Sequence, residues 1–369
     1  MGKGQHFLLR YAAFWLAPLA LVIALLMAEG VLRLFPQLLP EEAQIKRLWQ
    51  LQTPSSSIGD PYLGSVYPPH HKTEVKSLDF RFAVESDEHG FRNPPPWPEQ
   101  ADIVVVGDSL AYGWGVEREA AWFSLLDERL PESRIITLGM PGTVPQQYFR
   151  YLTRFGIGLK PKLVIFAIFP GNDVAEAETF DRWLAAGSPG NFSEWRFFEG
   201  RVPDRRVRFP NNSYLALFLQ GLKKNLSQKY ASKTITLADG ERLQLAPAIY
   251  MKAFERNDPL DPGFQSIVAA TVAAGDLAKE HGSEFLVLLF PTKEGVYLPL
   301  HGEPFPTLTQ PLQEVLEDEG ITCLSLIQEF RTQAVAGKKL YFEIDGHPNE
   351  LGNRVIADVL AEYLKNKLP

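Results

Sequence analysis

Four β-branched residues in succession, Ile103-Val104-Val105-Val106, run directly into Gly107-Asp108-Ser109. A strand with no polar side suits the middle of a parallel sheet, buried on both faces. Gly107 frees the backbone for a sharp turn. Asp108 and Ser109 then fall at the strand's carboxyl end, where open α/β sheets bind their ligands. Two readings follow. Asp108-Ser109 caps the next helix, since both residues are good N-caps, or Ser109 is a nucleophile. Gly113 and Gly115 leave room for a substrate beside the main chain.

The rest of the chain repeats that pattern. Strands are expected over Asp102–Val106, Arg134–Leu138, Leu163–Phe169, Glu284–Phe290 and Ile321–Leu324. Helices are expected over Glu117–Leu130, Pro145–Phe155, Phe264–His281, Thr309–Glu319 and Leu351–Leu368. Such alternation builds a parallel sheet with helices on both faces, an α/β domain. Residues 37–100 read as an irregular lead-in, broken by Pro61, Pro68, Pro69 and the run Pro94-Pro95-Pro96-Trp97-Pro98. Within it, 80–84 alternates like a short strand. His70 and His71 have no acidic or thiol partner at ligand spacing and do not read as a metal site.

Residues 175 to about 262 interrupt the rhythm. They carry Phe180, Trp183, Phe192, Trp195, Phe197 and Phe198, then Arg201, Arg205, Arg206 and Arg208. An insertion after the third strand lies on the ligand side of the sheet. It is either a lid or groove whose aromatics stack on substrate, or a subdomain whose aromatics fill its own core.

The compartment is read from the amino terminus. Tyr11 to Ala28 is uncharged, between Arg10 and Glu29. That is just long enough to span a bilayer, which takes about 20 apolar residues. Lys3 and Arg10 ahead of it keep the amino terminus cytoplasmic and the remainder outside. A retained anchor over residues 1–36 is favoured over a cleaved signal peptide, because Leu26-Met27-Ala28-Glu29 is a poor cleavage site. Net charge is −7 with no basic run, which argues against nucleic acid. The one cysteine, Cys323, sits in an apolar strand and reads as core.

In a doubly wound sheet the loops bearing Ser109, Gly142, Asn172 and His347 converge on one edge. Acyl transfer needs such a set. Serine is a weak nucleophile and needs a histidine base. The oxyanion of the tetrahedral intermediate needs two or three fixed donors. The Ser109 and Gly142 backbone N–H groups and the Asn172 amide can supply them. Asp345 can orient the imidazole, as the third member of a triad does. Asp108, Asp173, Lys293 and Tyr297 are further candidates for lining the site. This chemistry needs no metal and no cofactor.

Gly107-Asp108-Ser109-Leu110, Gly142, Gly171-Asn172-Asp173 and Asp345-Gly346-His347-Pro348-Asn349 resemble, in order, the four signature stretches of the SGNH (GDSL) hydrolases. The resemblance covers about 101–173 and 284–369. It implies a flavodoxin-like three-layer α/β/α domain over 101–369, with the stretch 175–262 inserted. It also implies ester chemistry with Ser109 as nucleophile, His347 as base, and Gly142 and Asn172 in the oxyanion hole. Most of that family places the aspartate three residues before the histidine; here Ile344 holds that position and Asp345 lies two before. An Asp-x-His pairing is similar to the membrane-bound branch that includes alginate O-acetylation proteins. So is the Pro-x-Lys…Tyr segment Pro291–Tyr297.

The expected function is an anchored, extracytoplasmic serine esterase or O-acetyltransferase acting on an acetylated envelope glycan. A lipid or thioester hydrolase of the same family is the second reading. A non-catalytic component of an acetylation or export complex is the third. Transfer across a membrane would imply a membrane-embedded acyl-donor partner.

Overall fold

The computed structural model describes residues 3–40, 43, 44, 47, 57–198, 213–225, 232–256, 258–365 and 367. The chain opens with helix α1 (Lys3–Leu34). Two antiparallel hairpins follow, β1 (Ile58–Asp60) with β2 (Gly64–Val66) and β3 (Lys72–Lys76) with β4 (Arg81–Glu85). The central domain begins with β5 (Ile103–Gly107), the single turn α2 (Ser109–Tyr112), α3 (Trp122–Arg129), β6 (Ile135–Gly139), α4 (Pro145–Tyr151) and β7 (Leu163–Ile168). Next come α5 (Asp173–Ala185), α6 (Phe192–Phe198), α7 (Tyr214–Asn225), the hairpin β8 (Lys233–Thr236) with β9 (Arg242–Leu245), and α8 (Pro247–Glu255). The alternation resumes with α9 (Pro262–Glu280), β10 (Glu284–Leu289), α10 (Lys293–Tyr297), α11 (Thr309–Asp318), β11 (Thr322–Ser325), α12 (Ile327–Val335) and α13 (Glu350–Leu364).

The sheet order is β11-β10-β7-β5-β6, and every pairing in it is parallel. Counted along the chain that is 2-1-3-4-5, the flavodoxin-like winding. Alternation along β5 decides the layers. Ile103 and Val105 pack with Phe123 and Leu126 of α3, Phe330 of α12, and Ile356 and Leu360 of α13. Val104 and Val106 pack with Tyr148 of α4, Phe264 and Ile267 of α9, and Leu312 and Leu316 of α11. Three layers result because each β5 side chain has a helix to cover it.

Two expectations need correction. Residues 57–100 are not irregular: both hairpins are regular, and Phe82, Val84 and Phe91 enter the core on the α4 side. Arg92 is fully buried. Its Nη1 donates to Tyr112 O at 3.1 Å and Gly113 O at 2.8 Å, and its Nη2 to Val116 O at 2.8 Å. Its guanidinium lies over the Phe82 and Tyr112 rings, 5.0 and 4.9 Å from their centroids. Asn93 Nδ2 donates to Thr137 O, and Thr137 N to Asn93 Oδ1, both at 2.9 Å. The prolines interrupt helices here, but long-range side-chain bonds hold the segment to the sheet.

The second correction concerns helix boundaries. The helix expected from Glu117 breaks at Ala121, which is extended, and α3 starts at Trp122. Trp122 N donates to Asn353 Oδ1 of α13 at 3.0 Å, so a tertiary partner takes the N–H that a continuous helix would use.

Phe180, Trp183 and Phe192 are buried together with Val144, and Trp195 packs against them. Phe180, Trp183, Phe192 and Trp195 therefore form a core with Val144, at the start of α4. Arg201, Arg205, Arg206 and Arg208, and the side chains of Phe197 and Phe198, lie outside the described residues. Cys323 is partly buried and packs against the α4-side core. Leu16–Leu34 within α1 has mean hydropathy 1.9 and only 6% of it is buried. It is long and apolar enough to cross a membrane, and unlike a core helix it has no protein around most of it.

Removing the Arg92 guanidinium leaves three buried carbonyls of 112–116 without that donor, and each such group costs about 1–3 kcal/mol. Arg92→Met is expected to lose about 3 kcal/mol or more, which lowers a thermal unfolding midpoint by roughly 6–12 °C. Calorimetry of the detergent-solubilised chain reads it directly, and an unchanged midpoint would show that the clamp contributes nothing.

Candidate active site

β5 ends at Gly107, where a Cβ would meet Ala111 Cβ at 2.7 Å and Ala167 O at 2.8 Å. Only glycine lets the chain turn this closely against β7. Asp108 caps the turn of α2, its Oδ1 accepting from Leu110 N at 2.8 Å. Ser109 follows as the first residue of that turn and stays partly exposed. Its Oγ donates to His347 Nε2 at 2.8 Å. His347 Nδ1 donates to Asp345 Oδ1 at 2.5 Å, and that oxygen also accepts from His347 N at 2.8 Å. An ionised carboxylate can only accept, so Nδ1 carries the proton and Nε2 is left to receive the one on Ser109.

The His347 loop is closed from behind. Asn349 Oδ1 accepts from Gly352 N at 3.0 Å and caps α13, and Asn349 Nδ2 donates to Lys339 O at 2.9 Å and Tyr341 O at 3.2 Å. Trp114 flanks the imidazole, ring centroids 6.4 Å apart.

Burial alone would hold the His347 pKa down, but the Asp345 carboxylate raises it above the ordinary imidazole value. Burial alone would raise the Asp345 pKa, but the charge of His347, two hydrogen bonds from it and the charge of Lys293 hold it below the ordinary carboxylate value. The two directions agree: the site favours an anionic Asp345 beside an imidazole able to take a proton.

The other two strand ends carry the remaining candidates. Gly142, after β6, is in the left-handed region with φ +71°, a conformation that favours glycine. Its carbonyl accepts from Arg196 Nη1 at 2.9 Å, and Arg196 also pairs with Glu176 at 2.9 Å. Asn172, after β7, has a buried Oδ1 with no hydrogen-bond partner among the described residues. Amide oxygen and nitrogen are assigned from their partners.

Four residues expected to line the site stand elsewhere. Asp108 and Asp173 are both fully buried. Asp173 Oδ2 accepts from Phe169 N at 3.0 Å, and its Oδ1 lies 3.2 Å from the Tyr148 hydroxyl. Burial raises both carboxyl pKa values, and the charge of Asp108 raises that of Asp173 further. They shape the two turns from beneath and do not face substrate. Lys293 is buried, and its Nζ donates to the carbonyls of Phe342, Glu343, Ile344 and Asp345 at 3.0–3.3 Å. Tyr297 is buried too; its hydroxyl donates to Lys338 O at 2.6 Å and accepts from Leu340 N at 2.9 Å. Both hold the catalytic loop instead of meeting substrate.

Three contributors carried no signal in the sequence. Asp79, in the β3–β4 turn, accepts from the N–H groups of Ile344 and Asp345 at 2.7 and 2.6 Å. Arg196 of the insertion braces Gly142. Tyr250 of α8 stands between two site loops: side chains on Gly171 and Gly346 would meet its Cε1 at 3.1 Å and Oη at 2.8 Å. Their partners are 54 to 266 positions away, and no local pattern marks them.

A serine, a histidine and an aspartate joined in this way at the carboxyl edge of a parallel sheet have the geometry that an acyl-transfer relay requires. No protein-family model matches the chain, and no curated protein matches it. Solved structures do. One is an acetyl xylan esterase, 11% identical, covering 71% of this chain and 98% of that one, with a TM-score of 0.40. Another is a member of the lipolytic protein G-D-S-L family from Veillonella parvula, 12% identical, covering 72% and 98%, TM-score 0.37. A third is the lipase/acylhydrolase from Enterococcus faecalis, 13% identical, covering 72% and 96%, TM-score 0.35.

The relay makes a paired prediction about pH. A base must be neutral, so kcat/KM is expected to fall as pH drops through the raised His347 pKa, above the ordinary ~6.5. Asp345→Asn removes the raising charge and should move that limb to lower pH, with a loss on the order of 10⁴-fold in kcat. Lys293 acts on His347 in the opposite sense. Lys293→Met should move the limb to higher pH and lose on the order of 10²-fold through misplacement of the loop. pH–rate profiles of the three proteins decide; limbs that coincide would refute the assignment of His347 as base.

Proposed function

We propose that the chain is an SGNH-type serine esterase or O-acyltransferase. It is held in the membrane by α1 with its amino terminus cytoplasmic, and it acts outside on O-acetyl esters of an envelope carbohydrate. The observation that carries the reading is the Ser109–His347–Asp345 relay, with Gly142 and Asn172 at the neighbouring strand ends. The four-part sequence resemblance supports the family. The Asp-x-His spacing supports a carbohydrate ester as substrate.

The chemistry follows from the relay. Ser109 Oγ attacks the acyl carbon while its proton passes to His347 Nε2. The carbonyl oxygen becomes an oxyanion, held by donors from Ser109, Gly142 and Asn172, each worth on the order of 10²–10³ in rate. His347 gives its proton to the departing alcohol oxygen, leaving an acyl-serine. Water or a sugar hydroxyl then loses a proton to Nε2, attacks the acyl carbon, and restores Ser109 when the proton returns. Transfer and hydrolysis differ only in which hydroxyl enters second. If acetyl groups arrive from the cytoplasm, a membrane acyl-donor protein must supply them.

A lipid or thioester substrate is the second reading. It gains from Phe180, Trp183 and Phe192 being core, which removes three aromatics from any sugar-stacking surface.

The test uses the full chain in detergent with a chromogenic acetyl ester and a long-chain analogue. Ser109→Ala should cut turnover by on the order of 10⁴-fold or more. Adding acetyl-free oligosaccharides should give acetylated products detectable by mass if transfer is the reaction. Equal turnover in Ser109→Ala would end the serine mechanism. Preference for the long-chain ester would select the lipid reading.

A further inference from the structure

Helix α7 (Tyr214–Asn225) is tied to the end of α1. The Glu29 carboxylate accepts from Ser213 Oγ at 2.9 Å, Tyr214 N at 3.0 Å and Leu215 N at 2.8 Å, and it pairs with Arg33 at 2.8 Å. A carboxylate at a helix N-terminus takes up N–H groups that have no partner within the helix. Tyr214 and Leu217 pack with Leu32, Leu39 and Ala43. The Arg33 and Arg47 guanidinium groups lie over the Tyr214 ring, 5.2 and 4.9 Å from its centroid.

The outward face of α7 is apolar as well. Leu219 and Leu222 are 59% and 43% exposed, and Leu215 and Phe218, half-buried against the α1-side cluster, lie beside them at helical spacing. Leu34, Phe35 and Leu38, at the end of α1, are 76%, 49% and 53% exposed. Exposed apolar side chains gathered in this way mark an interaction surface. Here the surface is continuous with Leu16–Leu34, whose own exposed leucines need a hydrocarbon surround. Tyrosine with arginine at the boundary is the side-chain pairing that a headgroup zone favours.

We infer that the α7 face formed by Leu215, Phe218, Leu219 and Leu222 docks on the lipid bilayer, in the interfacial zone where α1 leaves it. The inference rests on reading α1 as a membrane span. Glu29 keeps α7 against the span. The segment after α1 is also joined to the histidine loop. Gln44 Nε2 donates to Leu39 O at 2.8 Å, Gln244 Nε2 donates to Gln44 Oε1 at 2.9 Å, and Gln244 N donates to Glu343 O at 2.7 Å. Three hydrogen bonds thus lead from the segment leaving the bilayer to the loop carrying Asp345 and His347.

The experiment uses the full chain with Cys323→Ser, reconstituted in phosphatidylcholine vesicles. Single nitroxide labels are placed through Leu219→Cys, Leu222→Cys, Leu26→Cys within the span, and Leu260→Cys, an 80% exposed reference remote in sequence. Collision with oxygen and with a water-soluble nickel chelate is measured at each. Labels at 219 and 222 are expected to favour oxygen over nickel, less strongly than position 26 within the span, while position 260 favours nickel. Adding Glu29→Ala should shift 219 and 222 toward the aqueous pattern and leave 26 unchanged. If 219 and 222 match 260 while 26 stays lipid-like, the span stands and the docking inference falls. Shielding of 219 from both reagents would mean a protein partner and would overturn it. Nickel access at 26 would remove the span and the inference together.

Discussion

An ammonium group enclosed by four consecutive carbonyls is the interaction on which the catalytic loop depends. Lys293 donates toward residues 342–345, and only a loop curled around one point can present four carbonyls in a row. Burying a cation without compensation is costly. Burial lowers the Lys293 pKa, while the charges of Glu294, Asp345 and Asp79 oppose that fall. Asp79 grips the opposite edge of the same loop through the N–H groups of Ile344 and Asp345. The loop is therefore fixed by charge from both sides before His347 is reached. The neighbours of Lys293 extend the hub. Glu294 accepts from Ala246 N at the end of β9, Tyr297 holds Lys338 and Leu340, and Tyr341 Oη donates to Pro291 O.

The two aspartates of the Gly-Asp-Ser and Asn-Asp stretches show that a motif residue need not meet substrate. Asp108 and Asp173 are buried, each raised in pKa, and coupled by like charge. Two such carboxylates resist ionising together. Their bonds to Leu110 N and Phe169 N set the turns after β5 and β7. The turns in turn place Ser109 and Asn172. Architecture and chemistry share one short stretch because the strand end leaves no room for a separate scaffold.

The five sheet strands and their helices were legible in the sequence because their signal is local: β-branched runs between glycines, and apolar residues at helical spacing. Some helix boundaries moved by four or five residues, as at Trp122, where Asn353 takes the N–H. Ser109, His347 and Asp345 were legible because their loops sit at the ends of recognisable strands and helices. Lys293 and Tyr297 were marked by their pattern, yet the pattern did not say whether they face substrate or the loop behind it. Within 57–100 only β4 was legible, from the alternation of 80–84; the other strands are three to five residues long among prolines, and the bonds of Arg92, Asn93 and Asp79 reach residues far along the chain. The insertion's aromatics were ambiguous by nature, because a row of Phe and Trp suits a groove or a core equally; burial decides for the core at Phe180, Trp183 and Phe192.

That outcome relocates the insertion's contribution. Phe180, Trp183, Phe192 and Trp195 are taken up by its core, so its influence on the site comes through other reaching groups. Arg196 braces Gly142, Tyr250 stands between Gly171 and Gly346, and Gln244 grips Glu343. The loops after β6 and β7 and the histidine loop are all reached by side chains or backbone of the insertion. The relay itself is built only from the sheet and the closing loop. Under the proposed function, chemistry and selection would fall to different parts of the chain: the sheet and closing loop hold the serine, histidine and aspartate, and the insertion braces the loops around them. Such a division lets one α/β scaffold serve different esters by change in its connecting segments alone.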